Sequence, residues 1–211
     1  ILTENGVLTE NDSIYKNVKE IENNKKITVI GDFEDNKIHG RARLVIEDYF
    51  KYDGEFLFNR FDGSGTIQFL NDQFISMQYT GEFKDNCLNG KGIFSWKCGA
   101  YFEGYYLNNK KNGFGVYYIN KDISFQANWS NGKINGNCSF FDKANNISKK
   151  NLIFRHGHLK SGNENEENPI EYFHLKGYHD LEDLIVNSEY HNEYTFSKNN
   201  FLLEYDFPEF H

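Results

Sequence analysis

A short pattern of residues returns five times in this chain, and this periodicity restricts the fold more than any other feature. The clearest copies are residues 52–56 (Tyr-Asp-Gly-Glu-Phe) and residues 79–83 (Tyr-Thr-Gly-Glu-Phe), and looser copies begin at Val29, Phe102 and Phe125. The copies start 23, 27, 23 and 23 residues apart. A fixed period of this length is typical of repeat proteins, in which each copy forms one supersecondary unit.

Glycine occupies fixed positions in the copies, except that the fifth copy has Ala127 in place of the first glycine. A second glycine stands nine residues beyond the first, and a small residue follows two residues later. In the three best copies the expected structural glycines are Gly54, Gly63, Gly65, Gly81, Gly90, Gly92, Gly104, Gly113 and Gly115. Because glycine has no side chain, we expect a neighbouring aromatic ring to lie directly on its backbone.

Each copy is predicted to be a β-hairpin. Alternation with period two places Tyr52 and Phe56 on one face of a strand, and Asp53 and Glu55 on the other. The residue before the second glycine belongs to the types that best tolerate positive φ, which predicts the tight turn at this position. The residues in question are His39, Asp62, Asn89, Asn112 and Asn135.

The motif Y-x-G-x-F, followed by G-x-G within a 23-residue period, resembles the MORN (membrane occupation and recognition nexus) repeat. The resemblance implies an all-β fold, namely an elongated, twisted, single-layer antiparallel sheet of β-hairpin repeats. We divide the chain into an N-terminal cap segment (1–26), a five-repeat array (27–142), a degenerate half-repeat (143–160) and an acidic C-terminal tail (161–211).

Short capping helices are expected at both ends of the array. Helical spacing of Ile14, Val18 and Ile21 after a capping residue predicts one of them. Asp180 opens a second candidate helix, whose apolar residues include Leu181.

Charge is distributed unevenly along the chain. Residues 101–160 carry 9 basic and 3 acidic groups, a net +6, whereas residues 161–211 carry 2 basic and 12 acidic groups, a net −10. We therefore expect the tail to dock on the last repeats. The whole chain has a net charge of −8, which disfavours nucleic acid as a partner. Three cysteines without a CxxC motif favour a reducing, cytoplasmic location.

Motifs of catalysis are absent from the sequence. No P-loop, GxSxG or HExxH pattern occurs, and the pair His156 and His158 falls short of the three or four ligands that zinc sites use. We therefore expect no enzymatic activity, no cofactor and no bound metal.

The face opposite the glycines is acidic in the early repeats and aromatic in the later ones. An exposed aromatic patch beside carboxylates is typical of a protein-binding surface. The predicted partner-binding residues are Glu82, Ile93, Glu103, Tyr105, Val116, Tyr118 and Phe141. The alternative is that the tail covers this face as ordinary core.

Basic residues lie six positions beyond the first glycine position in four of the five copies, near the expected hairpin tips, and the third copy has Cys87 there. They predict a ridge that contacts anionic lipid or an acidic partner, formed by Lys37, Arg60, Lys110, Lys111 and Lys133. The alternative is that these side chains only keep the tips hydrated.

Together these features favour a non-enzymatic scaffold that binds a helix or extended segment of a protein partner, or a second copy of itself. The resemblance implies a cytoskeletal or membrane-proximal setting. Two other functions stay open: binding of anionic lipid through the ridge, and service as an accessory module of a larger enzyme.

Overall fold

The computed structural model describes the backbone of residues 2–3, 6–8, 14–21, 25–71, 74–156 and 158–161, and the side chains of residues 27–70, 77–148 and 150–156. Every regular element in these ranges is a β-strand. The strands are β1 (Leu2–Thr3), β2 (Gly6–Leu8), β3 (Ile14–Ile21), β4 (Lys25–Glu34), β5 (Lys37–Ile46), β6 (Phe50–Leu57), β7 (Arg60–Asn71), β8 (Phe74–Lys84), β9 (Cys87–Trp96), β10 (Tyr101–Leu107), β11 (Lys110–Tyr118), β12 (Ile123–Ser130), β13 (Lys133–Asp142), β14 (Ile147–Arg155) and β15 (His158–Ser161).

The strands form one open antiparallel sheet in which strand order follows chain order. The expected all-β sheet of hairpins is therefore confirmed. The described residues divide into two compact modules. The N-terminal module runs to Cys87 and includes residues 94–97, and the C-terminal module comprises residues 88–93 and the described residues from Cys98 onward.

The helix expected at the N-terminal end is wrong, because Ile14–Ile21 is a strand. It pairs with β4, where Ile14 lies opposite Gly31. Without this partner the edge of β4 would present unpaired N–H and C=O groups. Backbone pairing and the strand preference of β-branched residues outweigh the helical spacing of the apolar side chains. The second expected helix, at Leu181, lies outside the described residues.

The hairpins close through two-residue tips. Both residues of a tip have positive φ, as at Phe58 (46°) and Asn59 (68°), or Asn108 (48°) and Asn109 (67°). This is the type I′ geometry, whose twist matches that of the flanking strands. The turn predicted at Asp62 and its equivalents is therefore wrong, because the chain has already reversed before reaching these residues.

The second glycine of each repeat lies in a β-bulge and not in the turn. Gly63 has a φ of 98° and Gly113 a φ of 86°, values that residues with a side chain adopt only with strain. At the first of these bulges Glu55 alone faces three residues of β7, and its carboxylate accepts a hydrogen bond from the Ser64 amide at 3.1 Å. The glycine thus permits the strand to bend while its neighbours stay paired.

Asparagine at the second tip position of the second, third and fourth repeats joins each of these hairpins to the one before it. The backbone N–H of the asparagine donates to the carbonyl of a residue in the preceding hairpin. The side-chain oxygen of the asparagine accepts a hydrogen bond from the backbone N–H of that same partner residue. The three clamped pairs are Asn59 with Ile38, Asn86 with Phe61, and Asn109 with Leu88, with amide-to-oxygen distances of 2.7–3.0 Å. Each of these three tips thereby adds two hydrogen bonds beyond the strand ladder.

An aromatic ring lies on a pair of facing glycines in the N-terminal module. Tyr52 covers Gly54 and Gly65, which oppose each other across β6 and β7. A Cβ atom built on Gly65 would stand 2.6 Å from Cζ of this ring. The Tyr52 hydroxyl donates to the carbonyl of Glu55 at 3.0 Å, and the ring of Phe61 stacks on it with centroids 3.8 Å apart.

The C-terminal module repeats this packing with Phe102. A Cβ atom on either Gly104 or Gly115 would stand 2.6 Å from a carbon of the Phe102 ring. The edges of Tyr106 and Trp129 meet the same ring, with centroids 5.5 and 5.3 Å away. The expectation that rings interlock with bare glycines is confirmed in both modules.

We predict that Gly115→Val lowers the free energy of unfolding by at least about 3 kcal/mol, because the added methyl groups overlap the Phe102 ring. Urea denaturation followed by circular dichroism measures the loss. Gly99→Asn is the matched control, since Gly99 has open space around it and a positive φ that asparagine tolerates. A Gly115→Val chain as stable as the control would contradict the packing described above.

Candidate partner-binding surface

The outward face of the C-terminal module carries the aromatic surface that the sequence predicted. Strand pairing places Glu103 opposite Val116, and Tyr118 opposite Ser124, which in turn faces Phe141. The side chains of Ile93 and Tyr105 are 43% and 51% exposed. Six of the seven predicted residues therefore share one face of one module, and the surface is open in the described part of the chain.

Two further residues belong to this surface and were missing from the prediction. Tyr101 stacks on Tyr118, with ring centroids 4.3 Å apart and planes 14° from parallel. Phe114 is 55% exposed and follows the bulge glycine Gly113. Counting back by two from Val116 along β11 leads to Phe114, so the alternation of the strand could have revealed this residue. The bulge at Gly113 interrupts the alternation in the residues that precede Phe114. We call Ile93, Tyr101, Glu103, Tyr105, Phe114, Val116, Tyr118 and Phe141 the aromatic surface.

Glu82, the seventh predicted residue, lies in the N-terminal module. It is exposed on β8 opposite Ser64. The outward face of this module is occupied by polar pairs, including Arg43 with Asp53, whose Nε and Oδ2 atoms are 2.9 Å apart. The early repeats are therefore polar on this face, as predicted, but arginine accompanies the carboxylates.

The predicted basic ridge is interrupted by acidic residues and loses one member. Arg60 pairs with Asp85 of the next tip, with Nη1 and Oδ1 2.8 Å apart. Lys37 is exposed, and Lys110 and Lys133 are partly exposed. Pairs of this kind between exposed groups contribute about 0–1 kcal/mol each, so they neutralise the local charge more than they stabilise the fold.

Lys111 does not belong to the ridge, and its assignment as a surface residue is wrong. Only 1% of it is exposed, and its Nζ atom lies 5.0 Å from the ring centroid of Phe102 and 4.8 Å from those of Tyr117 and Trp129. The alternation of β11 turns Lys110 outward and Lys111 inward. Burial lowers the pKa of Lys111 to about 7, because the charged form loses its hydration.

Reactive groups are sparse among the described side chains. They contain no cluster of three or more His, Cys, Asp or Glu residues placed to hold a metal ion. Burial raises the pKa of the Cys138 thiol to about 12, so at neutral pH the nucleophilic thiolate is scarce. His156 is exposed at a hairpin tip, and the side chain of His158 lies outside the described residues. Within the described ranges, no helix is long and apolar enough to cross a bilayer.

Comparison with known families agrees with the hairpin geometry. The family described as MORN repeat matches five segments, residues 30–49, 52–72, 79–99, 102–122 and 125–143. The chain belongs to the MORN-repeat family. Each matched segment contains one glycine-centred hairpin of the kind described above, including the degenerate first and fifth copies.

Among curated proteins, this MORN chain is similar to Alsin from Homo sapiens and from Rattus norvegicus. The identity is 31% over 93 residues in both cases. The aligned stretch covers 44% of this chain and 6% of Alsin, so the chain spans only a small part of these relatives.

We predict that the double change Tyr105→Ser and Phe114→Ser lowers the binding of a hydrophobic dye while the melting temperature stays within about 2 °C, because both side chains face solvent. Phe102→Ser is the control for a core position, and it should destabilise the chain by about 3–5 kcal/mol. Dye fluorescence and a circular-dichroism melt provide the two readouts. Unchanged dye binding in the double variant would show that these rings are covered in solution.

Proposed function

We propose that this MORN chain is a non-catalytic interaction module that binds a protein segment on the aromatic surface. The observation that carries the proposal is the concentration of half-exposed apolar side chains on one face of the C-terminal module, including Ile93, Tyr105 and Phe114. Each square ångström of apolar area that a partner removes from water contributes about 25 cal/mol. Rings held upright on a rigid sheet also lose little conformational entropy when a partner binds.

Charge favours a partner segment with apolar anchors and acidic flanks. Residues 101–160 carry a net +6, which attracts such a segment and speeds its association. Glu103, the carboxylate of the aromatic surface, already has the Nζ atom of Lys91 at 3.9 Å. A basic partner would have to compete with Lys91, whereas an acidic one meets the surplus of lysines.

The chain itself contains a segment of this chemistry. Residues 161–211 carry a net −10 and include the apolar group Leu181, Leu184 and Ile185. These residues lie outside the described part of the structure, and their docking stays a prediction. In this proposal the tail binds the aromatic surface reversibly and competes with a partner for it.

We predict that deleting residues 170–211 raises hydrophobic-dye binding and increases either self-association or the capture of partners from native lysate. Adding Tyr105→Ser and Phe114→Ser to the deletion should reverse the increase, because the uncovered surface is then polar. Thr66→Ala with Thr80→Ala is the matched control, since this hydroxyl pair lies on the outward face of the other module. A deletion chain that stays monomeric and dye-silent would refute the role of the tail.

Anionic lipid is a second candidate ligand, because the partly exposed Lys110 and Lys133 follow two successive tips of the C-terminal module. A basic residue near an anionic membrane contributes about 1 kcal/mol. The interleaved acids, such as Asp85 beside Arg60, oppose this attraction. Lipid binding therefore ranks below the aromatic surface.

We predict little sedimentation of the chain with vesicles of anionic lipid at physiological salt. Whatever binding occurs should vanish when Lys110 and Lys133 are replaced by glutamate, and Lys121→Glu outside the ridge serves as the control. Strong, salt-sensitive sedimentation that depends on Lys110 and Lys133 would place lipid above a protein partner.

A third candidate is an accessory role within a longer polypeptide. The similarity to 6% of the length of Alsin favours this possibility. The sequences that flank this chain in its gene would test it, since an adjoining catalytic domain would assign the repeats a supporting role. For either role we propose a cytoplasmic setting close to the cytoskeleton or a membrane.

A further inference from the structure

One position of the repeat holds a buried side chain in every copy, and the fourth copy differs there from the others. The residue that follows each ridge position points into the core, and its exposure is at most 1% in all five copies. The five residues are Ile38, Phe61, Leu88, Lys111 and Ile134. A lysine thus replaces an apolar side chain at a place where the other repeats exclude water completely.

The surroundings of Lys111 are aromatic. Its Nζ atom lies within 5.0 Å of the centroids of Phe102, Tyr117 and Trp129, which belong to β10, β11 and β12. The negative faces of these rings attract an ammonium group, but they replace only part of the hydration that the group has in water. The pKa of Lys111 is accordingly lowered to about 7, with burial as the cause.

The titratable groups that face Lys111 are phenols. Tyr106 pairs with it across β10 and β11, and Tyr117 contributes one of the three rings. Burial raises the pKa of Tyr117, so this phenol stays neutral wherever the amine titrates. Among the described residues of this module, the buried carboxylate is that of Asp142, at the end of β13. It accepts hydrogen bonds from Asn145 and is not among the groups that face Lys111. Titration of Lys111 therefore changes the charge at this point of the core.

A second observation singles out the same place. Leu88, the equivalent of Lys111 in the third repeat, makes two hydrogen bonds with Asn109 at the next tip: its carbonyl accepts the Asn109 amide, and its own amide donates to Oδ1 of Asn109. At Lys111 the next tip presents Gly132, whose amide donates to the Lys111 carbonyl at 2.9 Å. Glycine has no side-chain oxygen, so Gly132 itself cannot accept the second bond of the clamp.

We propose that the contact between Lys111 and the 131–132 tip is a proton-controlled joint, which opens more readily when the Lys111 amine is protonated and closes when it is neutral. Opening brings the ammonium into water and frees the edge of the β10–β11 hairpin. Six residues of the aromatic surface, Tyr105 and Phe114 among them, lie on these two strands, so the joint lies behind most of that surface.

The sign of the effect follows from the direction of the pKa change. In the open state Lys111 titrates near the ordinary lysine value of 10.5, and in the closed state near 7. Between these two values the open state binds more protons, so the closed state gains stability as pH rises. Below about pH 7 both states are protonated, and the pH dependence levels off.

Amide hydrogen exchange of the full chain, corrected for the intrinsic rate at each pH, tests the joint without any partner. From pH 6 to pH 8 the opening equilibrium of residues 106–112 and 129–134 should fall about tenfold. Lys111→Met should abolish this dependence, since methionine fills similar space without a charge. Gly132→Asn should reduce opening at both pH values and keep the dependence, because the positive φ of Gly132 (84°) suits asparagine.

The preceding joint provides the matched control. Asn109→Gly removes the side-chain hydrogen bond to Leu88 and should raise the opening equilibrium at that contact. The pH dependence of this equilibrium should be no larger than it is at the same contact in the wild type. The proposal is overturned if the wild-type opening equilibrium is the same at pH 6 and pH 8, or if Lys111→Met retains the tenfold change. Since the readout is exchange and not binding, failure here leaves the proposed protein-binding function untouched.

Discussion

The contact between one aromatic ring and two facing glycines underlies the remaining structure. In the N-terminal module Tyr52 lies on Gly54 and Gly65, and no Cβ atom fits beneath its ring. A sheet ordinarily separates its layers by about 10 Å because side chains stand between them. Removing those side chains brings a ring down to the backbone itself, so a single strand pair acquires a dense core without a second layer directly above it.

This arrangement decides which part of each repeat is free to vary. The inward positions are fixed by the ring and its glycines, whereas the side chains at outward positions contact other outward side chains, as Gln78 contacts Gln68 and Thr80. The N-terminal module fills the outward positions with hydrogen-bonded and charged pairs, such as Thr66 with Thr80 and Arg43 with Asp53. The C-terminal module fills them with rings, and Tyr101 stacks on Tyr118. The face proposed to bind a partner is therefore the one whose residues the fold leaves free to vary.

Much of this could be predicted from the sequence because the repeat supplies five aligned copies of one hairpin. The glycine positions and the alternation of residues 52–56 predicted the sheet, the ring packing and most of the aromatic surface. The tight turn was misplaced because a residue such as Asp62 suits positive φ but lies in the bulge, while the reversal uses Phe58 and Asn59. Local preference alone does not distinguish a bulge from a turn.

Two other predictions failed because tertiary context outweighs local pattern. Ile14–Ile21 has helical spacing, yet it pairs with an exposed strand edge. Lys111 follows another lysine, and composition places both at the surface. Alignment of the copies held the contrary signal, since the position of Lys111 is apolar in every other repeat. Comparing columns of a repeat thus reveals burial that the hydropathy of one segment conceals.

The asparagine clamps give the array a direction. Each clamp pairs an asparagine of a later hairpin with a buried residue of an earlier one, as Asn86 does with Phe61, so each of the first three repeats is completed by its successor and not by its predecessor. Loss of a leading repeat leaves an asparagine facing water, which hydrates it at little cost. Loss of a trailing repeat strips two hydrogen bonds from a buried residue. Repeats of this type can therefore be gained or lost more easily at the amino end of the array than at the carboxyl end.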